Sequence, residues 1–464
     1  MAYTTYTQPD TNAYHSAYRP LIYEVHSTNV SQYKFRYVLR IKIDGTIKAI
    51  LKQSPNVNNI AVFDIQHIVR DYVEGTYLNQ AGSTIIKAGE TNNMLIEDNQ
   101  GDIVRFTVDL GESYSTTATG VPSVTYQDSD NAVVVGLARP NAEEFATQSV
   151  GSVNSVDLNS GLIGIPRANT TAPAQGWLTE RQLGVSDTSL FTGTQTVYTI
   201  DVYEGAPLPI VSLLGDSSNY DFNSDFAKLV VKVKDAGGST QTVTITCGAS
   251  TQGGASPSAV NADTECLVYA GLGKTALQAQ TSQGSTFTDC FNTATTWEFQ
   301  LTDGSDAATS GVWRVNEIKA NCFSGDSFQV YWRNRWGGID TLPFKGKAVA
   351  EVETSREQYR KVVGNSNTAS QTVRFAYDGT EGGLTPFNTS VKRKLTLETD
   401  FLLEQESNLI MSLMQSDEVW IYWGTLGRVV SAVCTDRRTP FKTNANDRQF
   451  KYTLNFELAK ENRA

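Results

Sequence analysis

The chain reads as mainly β, with two or more antiparallel β-sandwich-like domains and a few short helices. Three observations predict this. Apolar and polar residues alternate with period two in several segments. Gly, numbering 36, joins Ser, Thr and Asn in punctuating those segments. Two stretches carry the apolar spacing of an amphipathic helix, and both are short.

Tyr33, Phe35, Tyr37, Leu39, Ile41 and Ile43 alternate with polar residues, broken only by Val38, and predict a half-buried antiparallel strand. Asp44-Gly45 supplies positive-φ turn chemistry, and residues 46–51 return as the second arm of a hairpin. Asp64 can cap a helix over 64–74, in which Ile65, Ile68, Val69, Tyr72 and Val73 share one side. A strand pair follows over 93–97 and 103–110. These elements form an N-terminal β domain, 1–110. Residues 111–211 are rich in Ser, Thr and Pro and read as loops and short strands, with regular alternation resuming at 196–203. Long ordered loops of this kind usually serve function or contact a partner.

Residues 212–326 read as an inserted β-sandwich-like domain, with strands at 229–233, 242–247, 265–269, 296–301 and 313–318. The C-terminal β domain, 327–464, contains strands at 328–332, 348–353 and 391–397. A helix over 400–414, capped by Thr399 or Asp400, follows them. A strand pair at 419–423 and 428–433 comes next. The closing strand carries Phe450, Tyr452, Leu454, Phe456 and Leu458 on one face. A length of 464 residues suits two to three domains.

The charge balance, 38 Lys+Arg against 49 Asp+Glu, gives −11. That repels a phosphate backbone, so no specific nucleic-acid partner is expected. Basic residues nevertheless cluster, with Lys34, Arg36, Arg40, Lys42 and Lys48 on the first hairpin and a second bias from Arg428 to Lys451. The hairpin cluster reads either as a solvated strand face or as a subunit contact complementary to an acidic neighbour. No apolar run approaches the ~18 residues of a membrane span, and the N-terminus lacks a signal-peptide pattern. The 5 cysteines include no CxxC, which excludes a zinc cluster and leaves reduced thiols as the expectation.

Chemistry finds few starting points. The 3 histidines fall within the first 67 residues, and neither GxSxG nor HExxH occurs. Gly271-Leu272-Gly273-Lys274-Thr275 imitates a phosphate-binding loop, but the required earlier glycine is Val268. Asp221, Asn223 and Asp225 start like a calcium loop, but Phe226 and Lys232 occupy its Gly and Glu positions. A simpler calcium site with Asp216 stays open. No cofactor is expected. Trp297, Trp313, Trp332, Trp336, Trp420 and Trp423 are candidates for a sugar platform.

The most distinctive string is Tyr331-Trp332-Arg333-Asn334-Arg335-Trp336-Gly337-Gly338-Ile339-Asp340. It reads as a strand, a tight Gly-Gly turn and a returning strand. Arg335 would pair with Asp340 across this structural corner and Asn334 would bond its own backbone. The string resembles an aromatic-x-Asn-Arg-x-Gly-Gly-x-Asp pattern of virion and tail-associated proteins of tailed bacteriophages, particularly those of Bacteroidetes and marine bacteria. Leu397-Glu398-Thr399-Asp400, Ser416-Asp417-Glu418-Val419, Tyr18-Arg19-Pro20 and Phe63-Asp64-Ile65 are similar to that group too.

The resemblance implies a non-enzymatic structural virion subunit of the tail, baseplate or fibre-attachment region, assembled in the host cytoplasm. Its implied partners are itself, as a cyclic homo-oligomer, and other virion proteins. Corner residues Trp332, Asn334, Arg335, Gly337, Gly338 and Asp340 carry no catalytic role in that group. The alternatives are a tail protein binding a host-surface glycan or receptor, and a head decoration or connector protein.

Overall fold

The computed structural model describes residues 3–9, 14–43, 45–73, 96–99, 103–127, 133–136, 147–150, 153–156, 179–181, 184–191, 193–214, 228–235, 237–246, 266–278, 285–302, 308, 310–319, 326–361, 365–367, 374–376, 383–403, 406–438 and 449–458. They form mainly β structure in several antiparallel and mixed sheets.

In the N-terminal part, the strand Tyr33–Ile43 lies antiparallel between Thr46–Gln53 and Ile103–Ser115. Phe35, Tyr37, Leu39, Ile41 and Ile43 are buried as the alternation requires, while Tyr33 is exposed at the strand's start. Gly45 turns the hairpin at φ 70°. Against this sheet packs a second one of Tyr3–Thr7, Ile22–Ser27 and Ile60–Asp64. Tyr23, Val25, Ala61 and Phe63 share its core with Leu39, Ile41, Phe106 and Val108. Two apolar faces closing on each other in this way make a sandwich core.

The helix is Gln66–Arg70, shorter than the expected 64–74. Asp64 Oδ1 accepts from the N–H groups of both Leu21 and Gln66, which keeps Asp64 at the end of its strand. The expected pairing of 93–97 with 103–110 is also corrected. Ile96–Asn99 pairs with Cys266–Gly271, and Ile103–Ser115 continues unbroken past residue 111. A strand lacks information about its partner when several sheets offer equivalent edges.

The middle sheet has the order Gly184–Thr188, Thr194–Tyr203, Val312–Ile318, Thr296–Thr302, Lys228–Lys234, Thr240–Thr246. It therefore takes strands from before residue 212, and Thr194–Tyr203 joins Val312–Ile318 in parallel. Leu229, Val231, Val233, Trp297, Phe299 and Trp313 build its core.

A seven-stranded antiparallel sheet forms the C-terminal part, in the order Ile339–Phe344, Phe328–Arg333, Val419–Trp423, Arg428–Cys434, Thr453–Leu458, Leu384–Glu398, Ala348–Arg360. Tyr331, Ile339, Trp420 and Tyr422 enter the core of the middle sheet, whereas Val330, Trp332, Leu342 and Ile421 pack beneath the helix Ser407–Gln415. Both faces of Phe328–Arg333 are thus covered, and every residue in it is buried.

The expected helix 400–414 starts only at Ser407. Leu402–Leu403 is instead a short strand paired with Gln449–Phe450, and Thr399 exchanges backbone and hydroxyl hydrogen bonds with Tyr452. These tertiary bonds hold 399–403 extended against their helical spacing.

The hairpin Ala348–Arg360 with Leu384–Glu398 is far longer than its sequence pattern indicates, at 13 and 15 residues. Only residues 394–398 pair with Thr453–Leu458, so from Arg393 outward it leaves the sheet as a two-stranded arm. Val352, Tyr359, Leu384 and Phe387 are exposed on the arm, and the rings of Tyr359 and Phe387 meet at 6.1 Å.

Candidate functional site

The corner at Arg333–Asp340 gathers a buried polar cluster at one end of two strands of the C-terminal sheet. Strands Phe328–Arg333 and Ile339–Phe344 bring its ends together, and Gly337 turns it at φ 84°, a conformation that strains any residue with a Cβ. Asn334 Oδ1 accepts from the N–H groups of Trp336 (3.0 Å) and Gly338 (2.9 Å), so its amide does bond its own turn. Its Nδ2 donates to Asp340 Oδ2 at 2.9 Å. Arg333 Nη1 donates to the Gly337 carbonyl at 2.7 Å, and its Nε reaches Glu418 at 2.9 Å.

Asp340 does more than brace the turn. It also accepts from Thr179 Oγ1 at 2.5 Å and from the Glu180 N–H at 3.0 Å. The short strap 179–181, about 160 residues earlier in the chain, is thereby tied to the corner, and the Arg181 guanidinium donates to the Thr341 carbonyl. Arg335 forms its ion pair with Glu180 (Nε to Oε1, 2.8 Å), a correction to the pairing with Asp340 expected from the turn. The contact is close without being an aligned hydrogen bond. The reason is tertiary, since the strap inserts a second carboxylate beside the first.

Glu180 is the electrostatically strained member. Burial pushes its carboxyl up to about 7, and the nearby Asp340 charge adds to the rise. Arg335 and hydrogen bonds from Ser412 and the Arg335 N–H act in the opposite direction. Ser412 Oγ in turn accepts from Trp332 Nε1 at 3.1 Å, linking the helix Ser407–Gln415 to the corner. A small half-open recess adjoins the cluster, lined by Arg333, Asn334, Arg335, Ser412, Ser416 and Glu418 among others. Arg333 is engaged by Glu418 and Arg335 by Glu180, which gives the corner the chemistry of a clamp.

Sequence reasoning missed Thr179, Glu180, Arg181 and Ser412. The one local signal was the charged pair Glu180-Arg181, which follows a stretch of 157–178 with only Asp157 and Arg167 charged.

The basic hairpin separates into two groups. Arg40 and Lys42 both bind the fully buried Asp109, at 2.5 and 2.7 Å, and Arg40 stacks on Tyr126 at 4.2 Å. Burial raises the Asp109 carboxyl, but Lys42 and Arg40 outweigh it and leave the group below its ordinary value. Lys34, Arg36 and Lys48 remain exposed. Lys34 sits at φ 58° in a register shift and donates to the Gly120 carbonyl, and Lys48 lies 5.2 Å from the Tyr72 ring. The exposed stripe is therefore narrower than the sequence pattern.

The remaining sites divide plainly. Lys274 of the phosphate-loop imitation is bound by Glu317 at 2.6 Å, and a Cβ on Gly273 would meet the backbone of 206–208 at 3.1–3.2 Å. That glycine answers to chain packing. Trp297, Trp313, Trp332, Trp336 and Trp420 are buried, and the indole of the partly covered Trp423 donates to Asp326, so these side chains make no exposed platform. Asp216, Asp221, Asn223 and Asp225 lie outside the described residues. Among the described residues, no group of three or more His, Cys, Asp or Glu converges to hold a metal ion, and no helix is long and apolar enough to cross a membrane. No protein-family model matches the chain, and no curated protein matches it.

Proposed function

We propose that this chain is a non-enzymatic structural subunit of a tailed phage particle, placed in the tail, baseplate or fibre-attachment region and assembled through ring-forming contacts between copies. One observation carries the reading. The arm from 352–360 and 384–393 projects from the seven-stranded sheet with exposed apolar side chains, Val352, Tyr359, Leu384 and Phe387, along it. A two-stranded ribbon is marginal alone in water, and exposed apolar clusters mark interaction surfaces. An arm of this kind suits a subunit that completes its fold against a neighbour.

Two further features agree with assembly. The Asp340 carboxylate accepts from Asn334, Thr179 and the Glu180 N–H and so braces the strap against the corner, which suits a rigid assembly element. The resemblance of Trp332–Asp340 to virion proteins points in the same direction. The glycan-binding alternative loses its tryptophan platform to the core.

The test has two arms. Sedimentation velocity of the full chain should show concentration-dependent oligomers. Mass spectrometry and cryo-EM of tailed particles made from the encoding genome should find the chain in a ring at the tail or baseplate. A chain that stays monomeric at every soluble concentration, and that no particle contains, refutes the reading.

A further inference from the structure

We infer that the arm's free edge adds as a strand to the free edge of the first hairpin in a second copy of this chain. This rests on the assembly reading above and names its contact. Among the described residues, two sheet-ending strands are at least 8 residues long, and both are largely exposed: Thr46–Gln53 in the N-terminal sheet, with 8, and Ala348–Arg360 in the C-terminal sheet, with 13. Unpaired edges of this kind present a row of backbone donors and acceptors to any complementary strand.

Their side chains select each other by charge and spacing. The outward face of Thr46–Gln53 carries exposed Ile50 and Lys52, since Ala49 and Leu51 turn to the core, and exposed Lys48 is the bulged residue that the pairing with Tyr33–Ile43 skips. One exposed face of Ala348–Arg360 carries Glu353, Ser355 and Glu357. Laid antiparallel, 46–53 span 352–359, with Ile50 opposite Ser355, Lys52 opposite Glu353 and the bulged Lys48 level with Glu357. Lys52 and Glu353 fall on one face, as antiparallel pairing demands, and the long side chain of Lys48 reaches Glu357 from the bulge.

The carboxylates have room for a second cation. Lys394 takes only Oε2 of Glu353 at 2.6 Å, and Asn388 takes only Oε2 of Glu357 at 3.3 Å. Pairing the arm with another arm is disfavoured. Any two-fold antiparallel register keeps faces matched, and registers centred on Ser355, Arg356 or Glu357 oppose like charges. The two edges differ, so the contact runs head to tail and repeats into a ring where the rotation closes.

The experiment uses the full chain with Lys48→Glu, Glu357→Lys and the two together, in sedimentation velocity, with near-ultraviolet circular dichroism to verify folding. Each single reversal should weaken self-association by roughly fivefold to tenfold, the scale of one exposed ion pair turned to repulsion. The double variant should return to within about twofold of wild type. A second measurement fixes the register. Ile50→Cys with Ser355→Cys should give an oxidised ladder between chains, which Ile50→Cys alone does not give. If wild type assembles but neither reversal changes it and no ladder forms, the edge contact is overturned while the assembly reading stands. If wild type is monomeric throughout, the edge contact is overturned, and the assembly reading falls with it when no particle contains the chain.

Discussion

Replacing Glu180 with Gln tests the corner quantitatively. The carboxyl shifts from an ordinary 4.5 to about 7 because it is buried beside Asp340, and its side chain is only 5% exposed. An acid raised on folding favours the folded state while protonated. Its contribution is therefore fully present below pH 4.5 and is lost as pH climbs through 7. At 1.36 kcal/mol per pKa unit, wild type should lose about 2–3 kcal/mol between pH 5 and 8 from this group alone. Glu180→Gln removes the titration and keeps the size.

The variant's stability relative to wild type should accordingly rise by about 2–3 kcal/mol over that range. At pH 5, where Glu180 is protonated and neutral like the amide, the variant should lie close to wild type. Denaturant unfolding at half-unit pH intervals measures the difference, and hydrogen exchange at 179–181 localises it. A relative stability that is flat or falling between pH 5 and 8 would refute the account of a strained buried carboxylate.

Two further outcomes follow from the same cluster. Asp340→Ala strips the acceptor from Thr179, Glu180 and Asn334 and should cost about 3 kcal/mol, with faster proteolysis near residue 181 as the strap loosens. Gly337→Ala forces a Cβ into φ 84° and should cost about 1–2 kcal/mol by thermal unfolding, whereas Gly338→Ala serves as the comparison within the turn.

Much of the β architecture was legible because alternation is a local property. Phe35 to Ile43 and Tyr452 to Phe456 bury as their spacing requires, and the mainly β character follows from many such segments. The Trp332–Asp340 turn was equally legible, since Asn334 closes it with atoms two to four residues away. Where local signals competed with distant ones, they lost. Leu402 and Leu403 have helical spacing with the residues that follow, yet they pair with Phe450 and Gln449 and become a strand.

Sequence alone therefore determined which residues face a core and which string makes the sharp turn. Tertiary structure decided everything that depends on a partner far along the chain. It set Glu180, rather than Asp340, against Arg335 and gave Arg40 and Lys42 to Asp109. It also turned five tryptophans inward and left one hairpin projecting as an arm. The physical reason is the range of the forces. Pleat and turn geometry are fixed within a few residues, whereas a buried charge takes whichever counter-charge the packed sheets bring within a few ångströms.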